Sequence, residues 1–258
     1  MRIVRFQAQG SAHYGILEDD SSIARLSGPP FHGTQRTQER FRSDDVRLLA
    51  PCEPSKIVGV GLNYRDHAEE LGMELPQEPQ LFLKPETSII GPYQQIRYPS
   101  MARRVDFEAE LAIVIGAYAK KVPVEDAARV ILGYTCFNDV TARDLQFKDV
   151  QYTRAKGFDT FAPIGPWIET DLDPLGLTIE SYLNGERKQH SSTACLLFDP
   201  CALVSYISHI MTLRPGDVIA SGTPAGVGPM KPGDRIEVRI ERIGSLVNEV
   251  VDEMEHSL

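Results

Sequence analysis

The sequence predicts a mainly β protein of the α+β class, with a mixed, mostly antiparallel sheet rolled around one core. Three observations carry this expectation. Many stretches alternate apolar and polar side chains at period 2. Helical stretches are few and short. Strands and helices do not follow the regular βαβ rhythm of a parallel sheet. At 258 residues the chain is long enough for one large domain with a small appendage. Its 42% hydrophobic and 24% charged content are those of an ordinary globular protein.

The net charge of −9 argues against nucleic acid or an anionic membrane as partner, since both repel an acidic surface. No apolar run approaches the ~20 residues of a membrane-spanning helix. The first residues, Met1-Arg2-Ile3-Val4-Arg5-Phe6, alternate like a strand and do not read as a signal peptide. Cys52, Cys136, Cys195 and Cys201 show no CxxC spacing and read as reduced thiols of a cytoplasmic protein. There are no internal repeats and no low-complexity tracts.

Taken in order, residues 1–50 form a small N-terminal β domain, with strands at Arg2–Phe6 and Tyr14–Glu18 and a polar surface connection over Gly33–Asp45. Pro51-Cys52-Glu53-Pro54 marks the boundary to a main domain over residues 51–258, whose first strand is Lys56–Val60. A short helix follows over Tyr64–Leu71. Asn63 is its expected N-cap, Asp66 suits its first turn, and Gly72 suits the residue after its end. With the proline-broken tail Met73–Gln80 it reads as a mobile lid. Leu81–Pro85 is a strand ending in a lysine, Pro123–Leu132 a helix, and Gly133–Val140 a strand that ends in Asp139. Thr141–Leu145 reads as a helical turn and Thr153–Pro166 as irregular. Leu177–Leu183 enters a hairpin at Asn184-Gly185, and Leu203–Met211 is an amphipathic helix. Two Pro-Gly-Asp turns bracket the strands Val218–Ser221 and Arg235–Ile240, with the glycine-rich loop Gly222–Gly228 between them.

The chemistry centres on Val105–Gly116, read as one strand. Asp106, Glu108 and Glu110 share one face, and Val105, Phe107, Ala109, Leu111 and Ile113 share the other. Successive carboxylates on that face sit about 6.6–7 Å apart, where each ionised pair repels by about 2–3 kcal/mol. Such a row can fan out into water. This one runs straight into Leu111-Ala112-Ile113-Val114-Ile115, which reads as buried on both sides, so a cation is the stronger expectation. A site of Glu108, Glu110 and Asp139 is all oxygen and suits Mg²⁺ or Mn²⁺ better than Zn²⁺. Asp139 taken alone reads equally as a turn former. The six histidines show no HxH or HExxH pattern, which removes a zinc hydrolase.

His67 and Glu70, at i and i+3, share a helix face. A carboxylate holding one imidazole nitrogen leaves the other free to take a proton from water, although an exposed charged pair looks the same in sequence. Lys156 and Arg143 each suit a substrate carboxylate or a surface ion pair. The loop beginning Gly222-Thr223 lacks the residues of a phosphate-binding loop and departs from the dinucleotide spacing. Its amides and the Thr223 hydroxyl can hold an anion, or serve the turn alone.

Six ordered blocks together resemble the fumarylacetoacetate hydrolase family, over about Lys56 to Val250. They are Gly61-Leu62-Asn63-Tyr64 with Asp66-His67, Phe82-Leu83-Lys84-Pro85, and Asp106-Phe107-Glu108-Ala109-Glu110-Leu111. The rest are Asn138-Asp139-Val140-Thr141-Ala142-Arg143-Asp144, Lys156-Gly157-Phe158-Asp159, and Ser221 through Gly228. The resemblance implies the family's β-roll, usually in a homodimer, and a metal held by Glu108, Glu110 and Asp139 with Asp106 outside the ligand set. It implies a water-activating His67–Glu70 dyad on the lid, with Gln146, Lys156 and Thr223 around the substrate. With only about 50 residues before the main domain, the chain is similar to the short bacterial members. Their activities include hydrolysis of acylpyruvates, decarboxylation of 2-oxo dicarboxylates such as oxaloacetate, and isomerisation of hydroxydiene-dioates. The expectation is a metal-dependent C–C hydrolase of 2,4-dioxo acids, with the decarboxylase or isomerase as alternative.

Overall fold

The computed structural model describes residues 1–31 and 33–253. Three sheets and a few short helices make up the fold. The largest sheet runs in the order Arg36–Arg42, Ser22–Leu26, Ser11–Leu17, Arg2–Ala8, Ala162–Glu169, Ile131–Asn138, Ala109–Ile115, Val218–Ala220, Ile57–Val60, Leu81–Lys84. Neighbours on this path are antiparallel except Val218–Ala220, which runs parallel to Ile57–Val60. Arg2 faces Glu169 where Arg2–Ala8 pairs with Ala162–Glu169, so the N-terminal strands extend the same sheet that carries the carboxylates. A five-stranded sheet is built on Thr178–Leu183, Arg235–Ile240 and Gly244–Asp252, and a three-stranded one joins Val105–Phe107 to Thr141–Ala142 and Gly228–Met230. No described helix is long and apolar enough to cross a membrane.

Ala109–Ile115 lies at the centre, with every residue buried. Leu111, Ile113 and Ile115 belong to a cluster with Ile179 and Val238 of the five-stranded sheet and with Leu203, Val204 and Ile207 of the helix Pro200–Ile210. Ala112 and Val114 take the opposite face, with Ile57, Phe137, Ile164 and Val218. Burial on both faces is why this run does not alternate. Each such Leu or Ile contributes about 1.5–3 kcal/mol by leaving water, which makes this strand a rigid base for the side chains at its N-terminal end.

The structure corrects several element assignments. Val105–Gly116 is two strands, Val105–Phe107 and Ala109–Ile115, in different sheets. Side chains take over the ladder at the break: Glu108 N donates to Asn138 Oδ1 at 2.9 Å and Ala109 N to Gln189 Oε1 at 3.0 Å. Within Gly33–Asp45, Arg36–Arg42 is an edge strand whose outward Arg36 and Arg40 pair with Glu18, charges that read as loop in sequence yet protect a sheet edge. Pro123–Leu132 holds only the helical turn Val124–Ala127 and a 3₁₀ turn before a strand starts at Ile131. Thr153–Pro166 contains the helical turn Thr153–Lys156 and the start of the strand Ala162–Glu169, whose Pro163 and Pro166 disguised it; its register against Ile131–Asn138 shifts beside them. Thr141–Leu145 divides into a strand pair, Thr141–Ala142, and the helix Arg143–Lys148.

Asn63 does not cap the lid helix. That helix, Arg65–Leu71, starts from Tyr64 without a side-chain cap and closes on Gly72 in the left-handed conformation at φ 62°. The fully buried Asn63 instead joins three segments. Its Nδ2 donates to Ser221 O at 2.7 Å and Phe198 O at 3.1 Å, and its Oδ1 accepts from Phe198 N at 2.8 Å. Replacing it by Ala leaves those backbone groups without partners in a dry setting, where each costs about 1–3 kcal/mol. Asn63→Ala should therefore lower stability by about 2–4 kcal/mol in urea denaturation. A loss under about 0.5 kcal/mol would contradict this account of the side chain.

Candidate active site

Glu108 occupies the junction between the two central strands, Glu110 the start of the second, and Asp139 the residue after the neighbouring strand Ile131–Asn138. Asp139 N donates to Glu108 O at 2.9 Å, which locks that junction to the neighbour's end. One carboxylate oxygen from each of the three lies within 4.8 Å of the others, and all three residues are buried. Asp106, on the separate strand Val105–Phe107, is held apart from them. Its oxygens accept from Arg104 Nε at 2.8 Å and Nη2 at 3.0 Å, and from Arg143 Nε at 2.9 Å.

Each carboxylate has a different electrostatic setting. Glu108 accepts from Lys156 Nζ at 3.0 Å and pairs closely with Arg143 Nη2. Burial alone would raise its carboxyl, yet Lys156 and Arg143 outweigh burial and bring it down to about 2. Asp139 is shared by two ammonium groups, Lys84 Nζ at 2.5 Å on Oδ1 and Lys156 Nζ on Oδ2. Glu110 meets no cation among the described residues; its Oε2 accepts from Gly222 N at 2.9 Å. Burial, reinforced by the charges of Asp139 and Glu108, holds its carboxyl well above the usual range. Lys156 is fully committed, donating also to Thr141 Oγ1 at 2.9 Å, with its ammonium 4.9 Å from the centre of the Phe82 ring.

This donor set fits a hard divalent cation: three carboxylate oxygens converge without nitrogen or sulfur, and one of the three groups, Glu110, has no ion-pair partner among the described residues.

A cavity of about 320 Å³ opens above Glu108, lined also by His67, Arg143, Gln146, Lys156 and Thr223. His67 Nδ1 lies 2.9 Å from Glu70 Oε2, and the other Glu70 oxygen accepts from Gly226 N at 3.1 Å. Asp66 accepts from Ser191 Oγ, so the lid helix is tied at its first turn to the hairpin and at Glu70 to the glycine loop. Gln146 Oε1 accepts from Arg143 Nη1 at 2.5 Å.

The glycine loop holds anions, and they are the protein's own: Gly222 N serves Glu110 and Gly226 N serves Glu70. Both glycines adopt positive φ, 97° and 94°. A Cβ at Gly226 would lie 2.4 Å from Lys188 O, so no other residue fits there. Gly222 and Glu70 therefore do not line the cavity, and the Thr223 proton is committed to Ala109 O at 2.9 Å. Three participants escaped the sequence reading. Lys84, buried under Asp139, follows Phe82 on the same face of its strand. Arg104 shares the parity of Asp106, a signal present but unused. Gln189 gave none, because only the folded hairpin brings it to Ala109 and Thr223.

The C-terminal region of fumarylacetoacetate (FAA) hydrolases matches residues 56–251 as a family, and an N-terminal family described as Rv2993c-like matches residues 1–51. Protein Rv2993c of Mycobacterium tuberculosis is 53% identical over 260 residues, 97% of this chain and 98% of that protein. Oxaloacetate tautomerase Fahd2a of Rattus norvegicus is 39% identical over 218 residues, 80% of this chain and 70% of the rat protein. The crystal structure of 5-carboxymethyl-2-hydroxymuconate delta-isomerase from Mycobacterium smegmatis has a TM-score of 0.93 and 46% identity, covering 98% of this chain and 100% of that one. With the family's region spanning most of its length, this chain belongs to the fumarylacetoacetate hydrolase family.

Proposed function

We propose that this chain is a Mg²⁺- or Mn²⁺-dependent C–C hydrolase of acylpyruvate-like 2,4-dioxo acids. The observation that carries the reading is one cavity lined both by Glu108, a member of the buried carboxylate triad, and by the carboxylate-held His67. Charge supports it further. Four carboxylates, Asp106, Glu108, Glu110 and Asp139, stand with four cations, Lys84, Arg104, Arg143 and Lys156. The two sides balance once Glu110 has given up its proton to a bound divalent ion, whose own two positive charges are then in excess. The carboxylate and enolate oxygen of a 2-oxo acid supply two negative ones.

When bound, the cation supplies a Lewis acid for the carboxylate and 2-oxo oxygens of the substrate. His67, with Nδ1 held by Glu70, takes a proton from water through Nε2 as that water adds to C4. The C3–C4 bond then breaks to give a carboxylic acid and the enolate of a 2-oxo acid, which is protonated at C3. Lys156, held between Glu108 and Asp139, keeps a fixed positive charge beside the oxygen that becomes negative. Arg143, braced by Asp106 and Glu108, positions Gln146 at the cavity wall. The second reading, an isomerase or tautomerase of 2-oxo dicarboxylates, is favoured by the names of the rat and Mycobacterium smegmatis relatives. A decarboxylase needs the same enolate. None of these rivals requires a water-activating base.

Two measurements test the proposal. Glu110 keeps its proton in the folded protein where an unfolded glutamate has lost it. Its contribution to stability is therefore present below about pH 4.3 and fades as pH rises through its raised value. Metal binding must expel that proton, so affinity should rise with pH across the same window. The calorimetric enthalpy of Mn²⁺ binding should then track the ionisation enthalpy of the buffer; equal enthalpies in all buffers would contradict the site. His67→Ala should keep metal and oxalate binding while losing acylpyruvate hydrolysis by about 10²–10⁴-fold. Oxaloacetate decarboxylation should survive that change, and Glu70→Gln should fall between. Hydrolysis that persists in His67→Ala would remove the histidine from the water-activating role, and unmodified protein that tautomerises or isomerises 2-oxo dicarboxylates without hydrolysing acylpyruvates would favour the second reading.

A further inference from the structure

The floor and mouth of the active-site cavity differ in chemistry. On the floor, every donor of Lys156 is used by Glu108, Asp139 and Thr141, and Arg143 is spent on Asp106, Glu108 and Gln146. Arg104 is the remaining cation of the lining, and its Nε and Nη2 are clamped to Asp106. At the mouth stand large apolar side chains that solvent reaches: Leu71 is 52%, Met73 55% and Phe147 82% exposed. Single exposed hydrophobic residues are ordinary, but these three, from two separate segments, converge on one cavity.

Resting on the 2-oxo acid reading, we propose that this mouth selects substrates whose far end is an apolar alkyl or aryl group and disfavours a second carboxylate. An apolar end entering the cavity covers Leu71, Met73 and Phe147 and leaves water with them. A distal carboxylate there loses hydration and finds no free ammonium to replace it; the cationic donor left to it is Nη1 of Arg104, on a half-exposed guanidinium that Asp106 already pairs through Nε and Nη2. The selectivity thus comes from the rim and is separate from the reaction run on the floor.

The test uses Mn²⁺-loaded full-length protein and direct calorimetric titration, with no turnover required. Pyruvate, 2-oxobutanoate, 2-oxopentanoate and 2-oxohexanoate form a chain-length series, and oxalate reports the floor alone. Affinity should rise about threefold to fourfold per methylene. The branched acid 5-methyl-2-oxohexanoate should bind at least about tenfold tighter than 2-oxoglutarate, its near-isostere with a second charge. Met73→Ser and Phe147→Ser should flatten the series relative to oxalate. Tight oxalate binding with a flat series, or with 2-oxoglutarate preferred, overturns the inference alone. Failure of oxalate to bind overturns the 2-oxo acid reading and the inference with it.

Discussion

Carboxylates stay ionised inside a sheet only where something meets their charge, and the arrangement around Lys156 follows from that constraint. Its ammonium bridges Glu108 and Asp139, one from the central strand junction and one from the end of the neighbouring strand. Removing it would leave each of these two buried anions with one cation where it now has two, Asp139 with Lys84 and Glu108 with Arg143. Lys84 on the far side of Asp139 and Arg143 on the far side of Glu108 complete a chain of alternating charge. Burial lowers the Lys84 ammonium even though Asp139 opposes the effect, which marks how dry the floor is. Glu110 stands outside this chain. The same packing that neutralises its neighbours leaves it as the group with most to gain from a metal ion.

The rest of the molecule serves to hold that charge pattern still. Strand Ala109–Ile115 is buried on both faces and cannot shift without disturbing two hydrophobic clusters. Gln189, from a hairpin of another sheet, clasps Ala109 N, Thr223 and Pro224 O together. Asn63 ties the base of the lid to Ser221, next to the amide that serves Glu110. The lid helix is only seven residues long, and its outer half is exposed. Its order rests on the Asp66–Ser191 and Glu70–Gly226 contacts and not on its own propensity. His67 thus sits where a buried floor meets a short, largely exposed helix.

Much of this was legible in the sequence because period 2 is a strong constraint. Parity alone gathered Asp106, Glu108 and Glu110, and the switch to an unbroken apolar run gave away burial on both faces. Parity cannot say which carboxylates converge. That depends on Arg143, 37 residues beyond Asp106 in the chain and brought to it by the three-stranded sheet. The break at Glu108 was hidden for a related reason: its amide is satisfied by a side chain, and no local pattern records that. Pro163 and Pro166 hid a strand of the main sheet, since a proline argues against a central strand until a register shift accommodates it. In sequence the glycine loop reads equally as an anion holder or as turn chemistry, and nothing local points to the side chains its amides meet. Gly222 and Gly226 serve glutamates from distant parts of the chain.

The central claim is that Glu108, Glu110 and Asp139 form one divalent-metal site. The most direct measurement is anomalous scattering from crystals grown with Mn²⁺ and oxalate. The account predicts one strong peak about 2.1–2.2 Å from a carboxylate oxygen of each of the three residues, with Asp106 still on its arginines. A peak placed elsewhere, or none at saturating Mn²⁺, would contradict it.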